Sequence, residues 1–216
     1  MSIEDNIFSI YDKLVAINPK IELVAATKTR SIAEIKLAID TGKVASCGEN
    51  KVQELLSKYN DNFTWDFIGQ LQTNKVKYII DKVRLIHSVD RFSLAKEIDK
   101  QANKINKVQD ILIQVNSGKE ESKGGVYLED VDQLVDEINI FDNIKVRGIM
   151  AVMPKLDDEK ELGQIFDQVY AKFDKLKTNQ FCYLSMGMSN DYLLAVKAGA
   201  NMVRLGRAIF GERDVF

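Results

Sequence analysis

One histidine, His87, and two cysteines, Cys47 and Cys182, are too few side chains for a His/Cys zinc cluster. The cysteines lie far apart in the chain, a usage that fits a reducing cytoplasm rather than a disulfide scaffold. Prolines are scarce, with Pro19 and Pro154 the whole complement, and no Gly/Ser-rich stretch marks a linker. A single domain spanning 1–216 is therefore expected. Long apolar runs are missing, and none approaches the roughly 18 residues that span a bilayer. The opening MSIEDNIFSIYDKL carries acids where a secretory leader would be basic. Neither charge sign dominates: 30 basic and 32 acidic residues give a net charge of −2. That balance argues against nucleic acid or an anionic membrane as partner.

The chain does contain a regular alternation of short β-rich runs and amphipathic segments. A leading helix has Ser2 and Asp5 as a capping box, with Ile3, Ile7, Ile10 and Leu14 at helical spacing. Strands are expected at 21–27, 44–47, 64–69, 84–89, 110–116, 145–152, 183–186 and 201–205. Helices are expected at about 31–39, 50–59, 73–81, 91–103, 129–140, 158–177 and 190–198, with a last short turn at 209–210. Strands separated by helices imply a parallel sheet, because parallel neighbours need a crossover. Eight such units in this length favour a single (β/α)8 TIM barrel with an extra N-terminal helix. The first strand-to-helix turn, TKTRS, has no glycine, which argues against a dinucleotide-binding sheet. Cys47 and Cys182 then fall at opposite mouths, too far apart to bond.

Barrel chemistry sits at the C-terminal ends of the strands. Those ends carry Lys28, Glu49, Asn50, Gln70, Asn74, His87, Ser88, Asn116, Met150, Met153, Ser185, Ser189, Arg204, Gly206 and Arg207. A lysine against apolar walls has its charged form disfavoured, and the freed amine can attack an aldehyde to form a Schiff base. Lys28 taken alone reads first as a strand-end lysine reaching into water. SMGMSNDY (185–192) and RLGRAIFG (204–211) place Ser189, Gly206 and Gly211 at strand-to-helix junctions, where backbone N–H groups suit a phosphate. Barrels of this type often bind phosphate after strands seven and eight. Ser189 as a plain N-cap and Gly206 as a turn glycine stay open. An aldehyde-seeking lysine and a phosphate cradle at one mouth point to pyridoxal 5′-phosphate. A barrel acting on a phosphorylated sugar through an aldolase-type Lys28 is a further reading. His87 reads as a hydrogen-bonded barrel histidine rather than a base.

The motifs VAATKTR, CGENKVQE, WDFIGQLQTNK, IHSVDR, QVNSGKEESKGG, RGIMAV, LSMGMSNDY and VRLGRAIFGER occur in this order over nearly the whole chain. In them the sequence resembles the YggS/PROSC group of pyridoxal phosphate homeostasis proteins, which share the barrel of alanine racemase. The resemblance implies that Lys28 holds the cofactor as a Schiff base and that Asn50 lies beside it. Arg204 would face the pyridine nitrogen. Ser189 and the backbone at Gly206 and Arg207 would hold the phosphate, with Ser185 close by and Met150 lining the pocket. There are departures. Asp66 stands where members usually have histidine, Cys47 where phenylalanine is frequent, and Arg207 where a small polar residue is common. Asp66 is expected low in strand three, away from the cofactor and of little effect, and Cys47 is expected to alter packing beside Asn50.

Two functions follow from the resemblance. One is a non-catalytic cytoplasmic binder that stores and buffers pyridoxal phosphate and delivers it to apo-enzymes. The other is an amino-acid racemase. The cofactor works as an electron sink best when its ring nitrogen is protonated by an acid, and an arginine is a donor only. A racemase also needs a second base, which in that group comes from a partner subunit of a two-domain dimer. No second domain is expected after Phe216, so a monomeric carrier is favoured. Lys75, Lys119 and Lys123 fall in loops near the same mouth, with Lys123 a candidate for a transient second cofactor contact.

Overall fold

The computed structural model describes residues 2–120 and 124–212. Lys123 and its proposed contact lie outside them. Eight parallel strands pair in sequence order and close, β8 on β1, into a barrel. They are β1 (Glu22–Ala26), β2 (Ser46–Glu49), β3 (Trp65–Phe67), β4 (Leu85–Val89), β5 (Gln109–Asn116), β6 (Ile144–Val152), β7 (Tyr183–Ser185) and β8 (Met202–Leu205). The helices are α1 (Ile3–Ile17), α2 (Ile32–Asp40), α3 (Val52–Lys58), α4 (Phe92–Asn103), α5 (Val131–Ile138), α6 (Glu159–Leu176), α7 (Tyr192–Lys197) and α8 (Arg207–Phe210). None of the described helices is long and apolar enough to cross a membrane.

Side chains alternate across each strand, and the two faces meet different surroundings. Leu23, Ala25, Cys47, Trp65 and Phe67 join the large cluster between barrel and helices. Val24, Leu85, Leu112, Met150 and Met202 form a separate cluster that fills the barrel interior. The capping boxes at Ser2–Asp5 and Ser31–Glu34 both form, satisfying first-turn N–H groups of α1 and α2.

The structure departs from the sequence expectation at several boundaries. Strand two runs two residues further than expected, to Glu49, so Cys47 is its second residue and not its end. Cys47 packs in the outer cluster, while Asn50 opens onto the mouth. Both cysteines are free. The third strand is shorter than expected, because at Gly69 the chain presses against the Asn50 backbone; a Cβ there would lie 2.1 Å from Asn50 O. The expected helix at 73–81 is a 3-10 turn, Thr73–Tyr78, and the segment 129–140 opens with a 3-10 turn before α5. At Gly148, φ is +150° and a Cβ would fall 1.8 Å from Tyr183 O, so only glycine lets β6 pair with β7 there.

Candidate functional site

A cavity of about 920 Å3 opens at the C-terminal mouth, between the ends of β1 to β3 on one side and those of β6 to β8 on the other. Lys28, Asn50, Ser189, Arg204, Gly206 and Arg207 all line it. Residues from opposite ends of the sequence meet here because β8 pairs with β1, with Arg204 beside Val24 and Leu205 beside Ala25.

Lys28 follows β1 and is half-buried, and no described side chain forms a hydrogen bond or ion pair with its amine. Ser189 Oγ accepts from Ala208 N at 3.1 Å, tying the loop after β7 to the start of α8. Arg207 is exposed, and its Nη2 donates to Asn190 Oδ1 at 3.2 Å. Gly206 packs on β1, where a Cβ would sit 3.3 Å from Ala26 O. Arg30, not anticipated from sequence, also lines the cavity; its Nη2 donates to Gly211 O at 2.7 Å and closes the seam between the β1 and β8 loops.

Arg204 is buried in the floor. Its Nη1 donates to Ser185 O and Ser185 Oγ, both at 2.8 Å, and its Nη2 donates to Ala151 O at 3.0 Å. Burial pushes its pKa down to about 10, partly offset by Asp191, so it remains a cation at neutral pH. A buried cation held only by neutral acceptors is costly, and an anionic or lone-pair group in the cavity would offset that cost.

Two expected positions lie elsewhere. Met150 and Ser185 are not among the lining residues. Met150 is two residues below Val152 on the same strand face, inside the interior cluster, while Val152 itself reaches the cavity. Ser185 is wholly buried and serves as the acceptor beneath Arg204.

Ser185 belongs to a polar chain through the barrel that strand-by-strand reading did not reveal. His87 Nδ1 lies 3.3 Å from Ser185 Oγ, and its Nε2 lies 3.3 Å from Asp66 Oδ2. Asp66 also accepts from Ser46 Oγ at 2.6 Å, Arg84 Nε at 3.0 Å and Arg84 Nη2 at 2.8 Å. Burial alone would raise the Asp66 carboxyl, but the bonds from His87 and Arg84 hold it below its ordinary value. Burial lowers the His87 pKa, Asp66 opposes this, and the charges of Arg204 and Arg84 reinforce it. The imidazole is therefore neutral. One proton arrangement satisfies the chain: Nε2–H donates to Asp66, Nδ1 accepts from Ser185 O–H, and Ser185 Oγ accepts from Arg204. Asp66, expected to be remote and inert, is thus connected to Arg204 through two side chains.

Three further candidates have structural partners, whereas the buried Ser88 Oγ has none among the described residues. Asn116 binds the Glu120 backbone through both its amide nitrogen and its oxygen. Lys75 lies over the Tyr78 ring, and Lys119 pairs with Glu129. No three His, Cys, Asp or Glu side chains among the described residues are grouped to hold a metal ion.

Comparison with known proteins is consistent with this geometry. Residues 2–214 match the family described as alanine racemase, N-terminal domain. The pyridoxal phosphate homeostasis protein of Aquifex aeolicus is 43% identical over 199 residues, covering 89% of this chain and 87% of that protein. Its counterpart in Escherichia coli K12 is 32% identical, with 98% and 97% covered. The structure of PipY from Synechococcus elongatus with PLP bound superposes with a TM-score of 0.86 at 28% identity, covering 97% of this chain and all of that one. Alanine racemase of Clostridium difficile, at 15% identity and a TM-score of 0.75, shares the fold; the chain covers 58% of its length. The chain belongs to the pyridoxal phosphate homeostasis protein family, built on the N-terminal domain of alanine racemase.

Proposed function

We propose that the chain binds pyridoxal 5′-phosphate in the mouth cavity and acts in its homeostasis, storing and buffering it and handing it to apo-enzymes that need it. The observation that carries this reading is the sharing of one cavity by an amine without a bonded partner, Lys28, and by Ser189, Gly206 and Arg207 across the mouth. The residues present fit the group. Lys28 would hold it through its aldehyde carbon. Ser189 and the backbone at Gly206 and Arg207 would take the phosphate, with the Arg207 charge beside it. Asn50 would lie beside the ring, and Arg204 would offer a donor to the pyridine nitrogen.

When bound, the cofactor can supply an electron sink for carbanions on amino acids. Arg204 works against that use. It is donor-only and fixed by three acceptors, so it would meet the nitrogen lone pair without leaving a proton on the ring. A weak sink suits a reservoir more than a catalyst. The PLP-bound PipY structure and the names of the relatives support the binding and the homeostasis role. We place the protein in the cytoplasm as a monomer.

Purified protein saturated with pyridoxal 5′-phosphate should be yellow. Borohydride should abolish the visible band and leave a pyridoxyl adduct on Lys28 by mass analysis. Absence of that adduct removes the reading, and a colourless protein that cleaves phosphorylated sugars would replace it. Carrier and racemase are separated by incubating the loaded protein with L-alanine in deuterated water. Deuterium uptake at the α-carbon at enzymatic rates would overturn the carrier role.

A further inference from the structure

The turn that presents Lys28 is held by a partly buried cluster between β2 and α3 whose charged members do not line the cavity. Lys58 Nζ donates to Thr27 O at 2.8 Å, to Glu49 Oε1 at 2.9 Å and to Glu54 Oε1 at 2.7 Å, which uses all three of its protons. Glu54 Oε1 also accepts from the backbone N–H of Thr29. The peptide groups on both sides of Lys28 are therefore tied to one ammonium, the Thr27 carbonyl directly and the Thr29 N–H through Glu54. Glu49, fully buried, accepts from Thr27 Oγ1 at 2.8 Å and, through its other oxygen, from Asn50 N at 3.2 Å. The same cluster thus anchors a second lining residue. Burial raises the Glu54 carboxyl, but the bonds from Lys58 and Thr29 and the charges of Lys58 and Lys28 outweigh it, so Glu54 is ionised at neutral pH.

Thr29 needs such anchoring. Its φ is +66°, a left-handed conformation that is unfavourable for a residue with a Cβ. Such backbone persists only where its surroundings over-determine it. Released from Glu54, Thr29 would relax to negative φ, and the preceding peptide and the Lys28 side chain would turn with it.

We infer that Lys58, acting with Glu54 and Glu49, is a positioning residue that aims the Lys28 amine into the cavity without touching the ligand. The inference rests on the proposed linkage at Lys28. It separates two quantities. Grip on the ring and phosphate depends on the far wall, while the rate of C=N bond formation depends on where Lys28 Nζ sits. Misplacing a reacting atom by an ångström costs on the order of a hundredfold in rate.

The test uses Lys58→Met and Glu54→Ala in the full chain with two probes. Pyridoxine 5′-phosphate, which has an alcohol in place of the aldehyde, reports grip alone. Pyridoxal 5′-phosphate reports linkage, followed by the visible band in stopped flow and by borohydride trapping at position 28. Both variants should bind pyridoxine 5′-phosphate within about twofold of the native protein and form the linkage on the order of tenfold to a hundredfold more slowly. Linkage at the native rate in a folded variant overturns the inference, as does an equal loss in both measurements. Lys58→Met strands a buried carboxylate; if it does not fold, Glu54→Ala, at a partly exposed position, decides alone. A native protein that never links pyridoxal 5′-phosphate refutes the binding reading itself, an outcome distinct from failure of the clamp.

Discussion

Replacing Asp66 by asparagine tests the polar chain at its lower end. The carboxylate accepts from Ser46, twice from Arg84 and once from His87, so four donors converge on two oxygens. Asparagine keeps the shape but turns an NH2 toward donors and removes the charge. Breaking a buried pair from one side costs about 3–5 kcal/mol. Arg84 is about one-third exposed and also bonds Glu22, so water and Glu22 retain part of its interaction. The low end, about 3 kcal/mol, therefore applies, which for a chain of this size lowers Tm by about 6–12 °C. The effect should reach the site. Without the carboxylate, His87 loses the acceptor that fixes its tautomer, Ser185 is no longer oriented, and Arg204 loses about one net hydrogen bond. Affinity for pyridoxal 5′-phosphate should fall about fivefold. Urea and thermal unfolding give the first quantity, and equilibrium titration gives the second. A cycle with His87→Gln should show coupling of at least about 1 kcal/mol. An Asp66→Asn protein within 1 kcal/mol of native stability, or additive with His87→Gln, would refute the description of these groups as one charged, ordered chain.

Stability should also fall on acidification. His87 has a folded pKa below its ordinary 6.5, so the unfolded chain takes up the proton first and stability drops as pH falls below about 6.5. Asp66, also depressed, adds its loss only below its ordinary 3.8. Urea unfolding between about pH 5 and 8 should show the first slope, and His87→Gln should flatten it. Gly148→Ala should not yield a folded barrel, since its Cβ would overlap Tyr183 O; circular dichroism and solubility report this. Ser189→Ala should cost about 1 kcal/mol by removing the acceptor for Ala208 N–H, measured by urea unfolding. The same variant should weaken pyridoxal 5′-phosphate about fivefold while leaving unphosphorylated pyridoxal unaffected, measured by titration.

Much of the fold was legible because period-2 and period-3.6 patterns are local properties. The short apolar run in β5 and the capping boxes of α1 and α2 could be read with few neighbours in view. The reading failed where a tertiary contact overrode the pattern. Strand two is expected to end at residue 47, yet Gly48 and Glu49 continue β2, where Glu49 finds Thr27 and Lys58 to bond inside the protein. Strand three stops at Phe67 because the chain must clear the Asn50 backbone. The segment expected as a helix at 73–81 forms only the 3-10 turn Thr73–Tyr78. Lys28, Ser189 and Arg204, read at strand ends in the sequence, line the mouth cavity, because strand ends of a barrel are identifiable in sequence. Met150, expected to line the pocket, lies two residues below Val152 on the same strand face, and Ser185 lies beneath Arg204.

By itself the amino-acid sequence determined the order of eight strand–helix units, the lysine at the end of the first strand and the phosphate-suited junctions after the last two. Those features follow from side-chain period and backbone chemistry within a few residues. Only the tertiary structure decided that Asp66 is linked to Arg204 through His87 and Ser185, and that Lys58 holds the turn carrying Lys28. Closing the barrel brings residues far apart in the chain to hydrogen-bond distance, and no local pattern encodes which buried polar groups then satisfy one another.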